Sequence, residues 1–216
     1  MPHFDHLHYC SRYNTLRLLG YNYTSTERLC SITLVTDCRR PVFADMSLAK
    51  SILKCLLSSE TLENMHLQAF TLMPDHLHFL AGVRQQESNL PNLIGTFKSF
   101  TTQLYWKRSH EIIESGKVNF PSRAVSNSGL KESRSVIAAL LDNRATLRPE
   151  VVELRNWPKV QPESFRKKHL WQGRYFDHVI RNDKDLRENI NYIAMNSVKA
   201  GYVSQPCFYP YTGFLD

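Results

Sequence analysis

Runs of β-branched and apolar residues predict three strands in the first half of the chain. The first covers residues 28–36 and ends at a polar, proline-containing stretch in which a strand cannot continue. Two further runs, residues 67–73 and 77–83, are separated by Pro74-Asp75, a pair typical of a tight turn. The second and third runs therefore predict a β-hairpin.

Apolar residues at helical spacing predict two helices around this hairpin. The first runs from about Leu48 to Leu57, and Asp45 or Ser47 can cap its amino-terminal end. The second starts at Leu90. The order of strand, helix, paired strands and helix predicts an α+β fold, an antiparallel sheet with helices packed on one face. The apolar stripe of the second helix consists of Leu93, Phe97, Phe100 and Leu104.

A third helix is predicted near the carboxyl-terminal end. Asn182 or Asp183 can cap it, and Gly201 suits the left-handed position that closes a helix. Tyr192 and Asn196 are four residues apart, so the phenol and the carboxamide lie on one face, offset from the apolar stripe. An ordinary surface pair is the alternative interpretation. The apolar stripe consists of Leu186, Ile190 and Ile193.

The other stretches predict a single domain with an arm and an insertion. Residues 1–22 show little periodicity, and we expect an N-terminal arm there. Residues 23–216 form the domain, interrupted at about 110–163 by an insertion that consists of loops and two short helices. The short helices are predicted at residues 133–141 and 149–155.

Composition favours a polyanionic partner. The 216 residues carry a formal net charge of +7, although basic proteins that bind no anion also exist. The five cysteines are scattered without a Cys-x-x-Cys pair, as expected of reduced thiols in the cytoplasm. No apolar run approaches the roughly 20 residues of a membrane span. We therefore expect a cytoplasmic protein that has no membrane association.

The hairpin carries the first candidate chemistry. His76 and His78 are two positions apart on a strand, so both imidazoles project to the side opposite their apolar neighbours. Two imidazoles held side by side supply half of a metal site, whereas the alternative is a pair of half-buried histidines without a ligand. A second pair, His6 and His8, has no hairpin context, and we expect a solvated arm there.

The second candidate is the basic-aromatic segment, residues 164–176, which mixes cations with aromatic side chains. Such a mixture lets a surface hold phosphates while bases stack on rings. A solvated basic loop with buried aromatic residues would show the same pattern. The predicted DNA-binding residues are Arg166, Lys167, Lys168, Trp171 and Arg174, together with Lys199 on the last helix.

Several of these residues occur in motifs that resemble a known family. Residues 73–78, Met-Pro-Asp-His-Leu-His, resemble the His-hydrophobic-His motif of the single-tyrosine transposases of small bacterial insertion sequences. Residues 170–203 resemble the REP-associated branch of that family, and residues 39–44 fit the same branch. The resemblance covers about residues 23–108 and 170–214 and leaves the predicted insertion unexplained.

The resemblance implies the ferredoxin-like antiparallel sheet of the HUH endonucleases and a catalytic site on it. Tyr192 would be the nucleophile. One divalent ion, Mg²⁺ or Mn²⁺, would be bound by three protein ligands. These ligands would be His76, His78 and Asn196.

One position departs from the family pattern, and two roles have alternatives. The family usually has proline after the asparagine, where this chain has Ser197, so we expect the last helix to run on by up to a turn. Asp177 or His178 is an alternative third ligand. Tyr175 and Tyr202 are alternative nucleophiles, although neither has a potential ligand four residues further on.

A tyrosine with neutral metal ligands suits strand transfer. An enzyme that cuts one DNA strand and keeps the energy of the phosphodiester must exchange one ester for another. A phenol, with an ordinary pKa of about 10, leaves more readily than an alkoxide, so a 3′-hydroxyl can displace it. A metal ion polarises the phosphate. Two nitrogens and an oxygen in isolation favour zinc or manganese over magnesium, whereas the resemblance implies Mg²⁺ or Mn²⁺. Lys199 is one candidate for the group that accepts the phenol proton.

These features predict a DNA-strand transesterase that cuts single-stranded or hairpin DNA and holds the new 5′ phosphate on Tyr192. A replication or conjugation nickase would use the same chemistry, but the pattern of residues 196–203 argues against it. A non-catalytic module that binds single-stranded nucleic acid or represses repeats is the alternative from another class. The sequence is compatible with a monomer or a homodimer.

Overall fold

The computed structural model describes residues 22–115 and 154–215. In these ranges, five strands form one antiparallel sheet in the order β4-β1-β3-β2-β5. The predicted hairpin is present, and Pro74 and Asp75 form its turn. The antiparallel α+β class is therefore confirmed. The strands are β1 Cys30–Val35, β2 Met65–Met73, β3 His76–Val83, β4 Phe176–Val179 and β5 Thr212–Phe214.

The α-helices in the described ranges include the three that the spacing of apolar residues predicts. Asp45 caps α1 by accepting the Leu48 N–H at 2.8 Å, and Asn182 caps α4 by accepting the Asp185 N–H at 3.0 Å. Gly201, with φ of 73°, closes α4 as expected. No described helix is both long and apolar enough to cross a bilayer. The helices are α1 Met46–Leu56, α2 Ser59–Asn64, α3 Leu90–Ser115 and α4 Asp183–Lys199.

The main core lies between one face of the sheet and the pair α1 and α3. Strand alternation sends Ile32 of β1 and Leu77 of β3 to this face, where both are fully buried. Ile52 of α1 and Phe97 of α3 pack in the same cluster. This side of the sheet contains most of the buried apolar residues of the described ranges.

The last helix packs on the opposite face, which corrects the expectation that all helices lie on one face. Ile193 of α4 is fully buried against Ala69 of β2 and Leu80 of β3. Leu186 and Ile190 complete the predicted stripe beside them. Because His76 and His78 also project to the face opposite the main core, α4 lies on the same side of the sheet as the two imidazoles.

The buried stripe of α3 differs from the predicted one by about one position. Phe97 is buried as expected, but Phe100 is 51% exposed and Leu104 is only partly buried. Thr101 and Tyr105 are the buried residues on that turn of the helix. Polar atoms explain the difference, because the Thr101 hydroxyl donates to the Phe97 carbonyl at 2.7 Å and the Tyr105 hydroxyl donates to the Lys167 carbonyl at 2.9 Å.

The described ends of the predicted insertion belong to the domain. The helix α3 continues to Ser115, so the first residues of the predicted 110–163 insertion are helical. After the undescribed residues 116–153, Trp157 and Val160 pack against the main core. The predicted short helix at 133–141 lies outside the described residues, as do most of the one at 149–155 and nearly all of the arm at 1–22.

Arg40 joins the loop after β1 to the basic-aromatic segment. Its side chain is largely buried, and its guanidinium donates to the Asp37 carbonyl at 2.8 Å and to the Tyr105 hydroxyl at 2.9 Å. It also donates to the carbonyls of Ser164 and His169. A buried guanidinium with this many acceptors fixes the position of the segment against the core.

Candidate active site

One of the two hairpin histidines, His78, lies on a row of residues that crosses the sheet. The strand register places His78 of β3 opposite Thr33 of β1 on one side and Thr71 of β2 on the other. The next residue of the row is Phe176 of β4, opposite Thr33. His76 lies one pleat further along the same face, so both imidazoles project to the side on which α4 packs.

His78 is a buried imidazole with one ring nitrogen already engaged. It is 6% exposed, and its Nδ1 lies 2.7 Å from the Thr33 hydroxyl oxygen. Burial, and next the charge of His76, lower the pKa of His78 to about 3. The ring is therefore neutral at physiological pH, and its Nε2 is the nitrogen that can bind a ligand.

His76 lies beside His78 and is held from the turn. The two ring centroids are 4.6 Å apart with an interplanar angle of 79°. The His76 Nδ1 donates to Asp75 Oδ1 at 2.5 Å, and Asp75 Oδ2 accepts from the Arg39 guanidinium at 3.3 Å. Burial alone would raise the pKa of Asp75, but the hydrogen bond from His76 and the charge of Arg39 outweigh it, so the pKa is lowered.

The helix α4 brings the predicted phenol and carboxamide to the same place. The Tyr192 ring centroid is 5.2 Å from that of His78, with an edge-to-face angle of 77°. Tyr192 is 46% exposed, so its ring is accessible from solvent. The Asn196 Nδ2 donates to the Tyr192 carbonyl at 2.7 Å, which leaves Oδ1 as the donor atom for a ligand. The helix continues past Asn196 to Lys199, as expected from serine at position 197.

These side chains line one cavity of about 390 Å³. All four residues expected at the site, His76, His78, Tyr192 and Asn196, contribute to its wall. The same wall includes a cation and an exposed aromatic ring that sequence reasoning did not assign. The further lining residues are Thr33, Val35, Arg39 and Phe176.

Comparison with protein families identifies the chain. The model of the family described as "Transposase IS200 like" matches residues 26–137, which is more than half of the 216 residues. The chain belongs to the IS200-like transposase family. The match includes β1, both strands of the hairpin and α3, and thus both histidines of the cavity.

Two curated relatives of this IS200-like chain match over shorter stretches. The REP-associated tyrosine transposase of Escherichia coli is 45% identical over 47 residues, which are 22% of this chain and 28% of that protein. A Haemophilus influenzae protein, provisionally given the same name, is 42% identical over 52 residues, which are 24% of this chain and 30% of that protein. The matches thus span less than a third of either relative.

A solved structure shows the same fold. A REP-associated tyrosine transposase bound to a REP hairpin superposes with a TM-score of 0.50 and 18% sequence identity. The alignment covers 94% of this IS200-like chain and 81% of the other. The antiparallel α+β fold expected from the sequence is therefore shared with this solved structure.

The alternative site residues lie elsewhere in this IS200-like domain. The His178 Nε2 is 2.9 Å from both carboxylate oxygens of Asp185, and Asp177 accepts a hydrogen bond from the Tyr23 hydroxyl. Burial raises the pKa of Tyr202, whose ring lies 5.3 Å from that of Trp157, and Tyr175 packs against the main core. None of the four, Tyr175, Asp177, His178 and Tyr202, lines the cavity.

The basic residues of the basic-aromatic segment are exposed but do not line the cavity. Their backbone is fixed, because Trp106 Nε1 donates to the Lys168 carbonyl at 2.8 Å and Lys98 Nζ donates to the Gln172 carbonyl at 2.7 Å. Lys199 lies closer to the site, with its Nζ 5.1 Å from the centroid of the Tyr192 ring. The exposed cations of the segment are Arg166, Lys167, Lys168 and Arg174.

The burial of Trp171 corrects the prediction that this residue binds DNA. Its side chain is 5% exposed, and its ring packs between Phe43 and Phe97 in the main core. The indole N–H donates to the Thr101 hydroxyl at 2.9 Å. A ring enclosed in this way has no face on which a base can stack, so Trp171 holds the segment against α3.

Truncation of Trp171 is expected to affect stability. We expect Trp171→Ala to lower the free energy of unfolding by about 3–5 kcal/mol, because it leaves a large cavity in the core. Urea unfolding followed by circular dichroism measures the loss. Trp106→Ala, at a tryptophan of α3 that is 43% exposed, is the control and should cost much less. Unchanged stability in Trp171→Ala would contradict the structural role.

Sequence reasoning missed Arg39, Asp75 and Phe176 as parts of the site. Arg39 and Phe176 come from loops and a short edge strand, so no periodic pattern marks their faces. Asp75 was assigned to the turn alone, although an acidic residue next to a candidate ligand is a usable signal. Phe176 is 39% exposed on the cavity wall, whereas Trp171, the aromatic residue predicted to bind DNA, is buried.

Proposed function

We propose that this transposase-family protein is a metal-dependent endonuclease and strand transferase of single-stranded DNA. It acts on hairpin or repeat DNA and forms a 5′-phosphotyrosine at Tyr192. The observation that supports this proposal best is the convergence of His76, His78, Tyr192 and Asn196 in one cavity, although they come from a strand and a helix far apart in the sequence. The names of the relatives agree with it.

The donor atoms of the cavity fit a divalent ion. Hydrogen bonds occupy Nδ1 of both imidazoles, so the two Nε2 atoms are left for a metal. The third protein ligand in this proposal is the amide oxygen of Asn196, which lines the same cavity and whose Nδ2 is held by the Tyr192 carbonyl. Bound Mg²⁺ or Mn²⁺ would neutralise charge that develops on the scissile phosphate.

Tyr192 performs the transfer. Its phenolic oxygen attacks the phosphorus, a new P–O bond forms, and the bond from phosphorus to the 3′ oxygen breaks. The phenol loses its proton, and the departing 3′ oxygen gains one, so the products are a 3′-hydroxyl and a phosphotyrosine. The Lys199 ammonium, 5.1 Å from the Tyr192 ring, lies where a positive charge stabilises the phenolate. The reverse attack by a 3′-hydroxyl rejoins DNA.

A hairpin is the proposed substrate because the solved structure of similar fold holds a REP hairpin and because this chain presents exposed cations and an exposed aromatic ring. The net charge of +7 favours a polyanion. The exposed cations of the basic-aromatic segment would contact phosphates, which position a nucleic acid without reading its sequence. Phe176 on the cavity wall offers a ring on which an unpaired base next to the cut can stack.

A labelled hairpin tests the proposal and its polarity. The protein is incubated with Mn²⁺ and a single-stranded DNA hairpin from a palindromic repeat, then denatured and separated by gel electrophoresis. A 3′-label should migrate with the protein, because the 5′-phosphotyrosine retains the DNA downstream of the cut. A 5′-label should appear on a shortened free strand. Binding without any adduct would favour a non-catalytic binding protein.

Phe176 provides a separate prediction on binding. We expect Phe176→Ala to weaken hairpin binding by roughly 5- to 150-fold, since loss of one stacked base costs about 1–3 kcal/mol. Fluorescence anisotropy with a labelled hairpin measures the affinity. Phe214→Ala is the matched control, because Phe214 is 42% exposed on the opposite edge strand and does not line the cavity. Equal losses in both variants would refute the stacking role.

A further inference from the structure

We propose that Asp75 is a positioning residue of the metal site: it sets the tautomer of His76 and increases the affinity of the histidine pair for a divalent cation. This inference deepens the proposed function and rests on it, because it concerns the same cavity. Asp75 itself does not line that cavity and would act through His76.

The first step concerns the position of one proton. An ionised carboxylate can only accept a hydrogen bond, so the 2.5 Å contact from Asp75 Oδ1 to His76 Nδ1 places the ring proton on Nδ1. The lone pair is then on Nε2, the only ring nitrogen left for a cation. Without the carboxylate, a neutral imidazole divides its population between two tautomers, one of which cannot bind through Nε2.

The second step concerns the rigidity of Asp75. The Thr36 N–H and the Thr36 hydroxyl both donate to the Asp75 backbone carbonyl at 2.9 Å. The Arg39 guanidinium contacts the second carboxylate oxygen at 3.3 Å. The loop that presents Arg39 has a demanding conformation, since Cys38 and Arg39 have φ of 56° and 50°. Asp75 is thus fixed on both its backbone and its carboxylate.

The third step concerns charge. The three expected ligand groups are neutral, so by themselves they offer a cation no net charge. The Asp75 carboxylate adds a negative charge behind one imidazole and makes its free nitrogen a stronger donor. Arg39 offsets part of this charge but is 59% exposed, where water screens its effect. At His78, by contrast, the group that is hydrogen-bonded to Nδ1 is the uncharged Thr33 hydroxyl.

Nitrogen NMR tests the tautomer directly in the protein without metal. In weakly alkaline buffer, long-range ¹⁵N–¹H spectra of the wild type should show His76 with its proton on Nδ1. Asp75→Ala should show a mixture of both tautomers, while Asp75→Asn, which keeps an acceptor, should retain the wild-type form. A wild-type His76 that carries its proton on Nε2 would overturn the inference before any metal is added.

Mn²⁺ binding tests the consequence. Electron paramagnetic resonance of free Mn²⁺, titrated with the protein alone, gives the dissociation constant. We expect Asp75→Ala to raise it by roughly 10- to 100-fold and Asp75→Asn to raise it less, because only the charge is lost. Asp185→Asn is the matched control, since its carboxylate binds His178 outside the cavity, and it should leave the constant unchanged.

The outcomes separate the inference from the proposed function. An unchanged Mn²⁺ constant in Asp75→Ala would overturn the positioning role, even if the wild type forms the covalent adduct. A raised constant together with a wild type that never forms an adduct would refute strand transfer and leave the role of Asp75 intact. A wild type that does not bind Mn²⁺ would overturn the inference as well.

Discussion

Replacement of Tyr192 by phenylalanine is expected to abolish the covalent DNA adduct while hairpin affinity stays within about twofold of the wild type. The substitution removes only the attacking oxygen, and the ring can keep its edge-to-face contact with His78 at 5.2 Å. The measurement is adduct formation with a 3′-labelled hairpin, paired with anisotropy for binding. We expect no detectable adduct, because a phenyl ring has no nucleophile to replace the phenol.

The matched control for this variant is Tyr202→Phe. Tyr202 is also near the carboxyl-terminal end of the chain, but its ring packs against Trp157 outside the cavity. The control should form the adduct at the wild-type rate. An adduct that persists in Tyr192→Phe would show that another side chain attacks. Loss of binding together with loss of the adduct would mean that Tyr192 holds DNA and that its chemical role is unproven.

Replacement of His76 by alanine is expected to reduce cleavage by about 100-fold or more, because the cavity loses one of two nitrogen donors. His76 suits this test better than His78, since the side chain of His76 is 16% exposed while His78 is buried in the row of the central strands. Single-turnover cleavage at several Mn²⁺ and Mg²⁺ concentrations measures the effect. We also expect Mn²⁺ to support the wild type at least as well as Mg²⁺.

His66→Ala is the control for His76→Ala. His66 lies on the neighbouring strand β2, opposite Gly82 and outside the cavity, and burial lowers its pKa. Its replacement removes an imidazole from the same sheet without removing a donor from the site. Wild-type cleavage in His76→Ala at every metal concentration would contradict a metal role for the hairpin histidines.

Local signals were sufficient to predict the elements that hold most of the fold. Proline and aspartate between two apolar runs marked the hairpin, and capping residues marked the starts of α1 and α4. The strands β4 and β5 have four and three residues, too short for a period to show. Local sequence also could not predict on which face of the sheet α4 packs, because its apolar stripe can pack against any complementary apolar surface.

The same distinction applies to the site. The two-residue period of a strand predicted that His76 and His78 share a face, and the helical period predicted the same for Tyr192 and Asn196. Their meeting depends on long-range packing, which only the family resemblance suggested. Trp171 shows the limit of composition, because aromatic residues among cations are expected both at nucleic-acid surfaces and in cores beneath solvated loops.

Strand β3 and helix α4 of one polypeptide supply the imidazoles, the carboxamide and the phenol of the cavity. Under the proposed function, each copy of the chain therefore carries the complete chemistry for one break and, at Tyr192, stores one broken end. Resealing must then precede the next cut by that copy. An exchange between two DNA molecules proceeds either by successive reactions at one centre or by simultaneous work of two chains, and the stoichiometry of trapped DNA per chain distinguishes these routes.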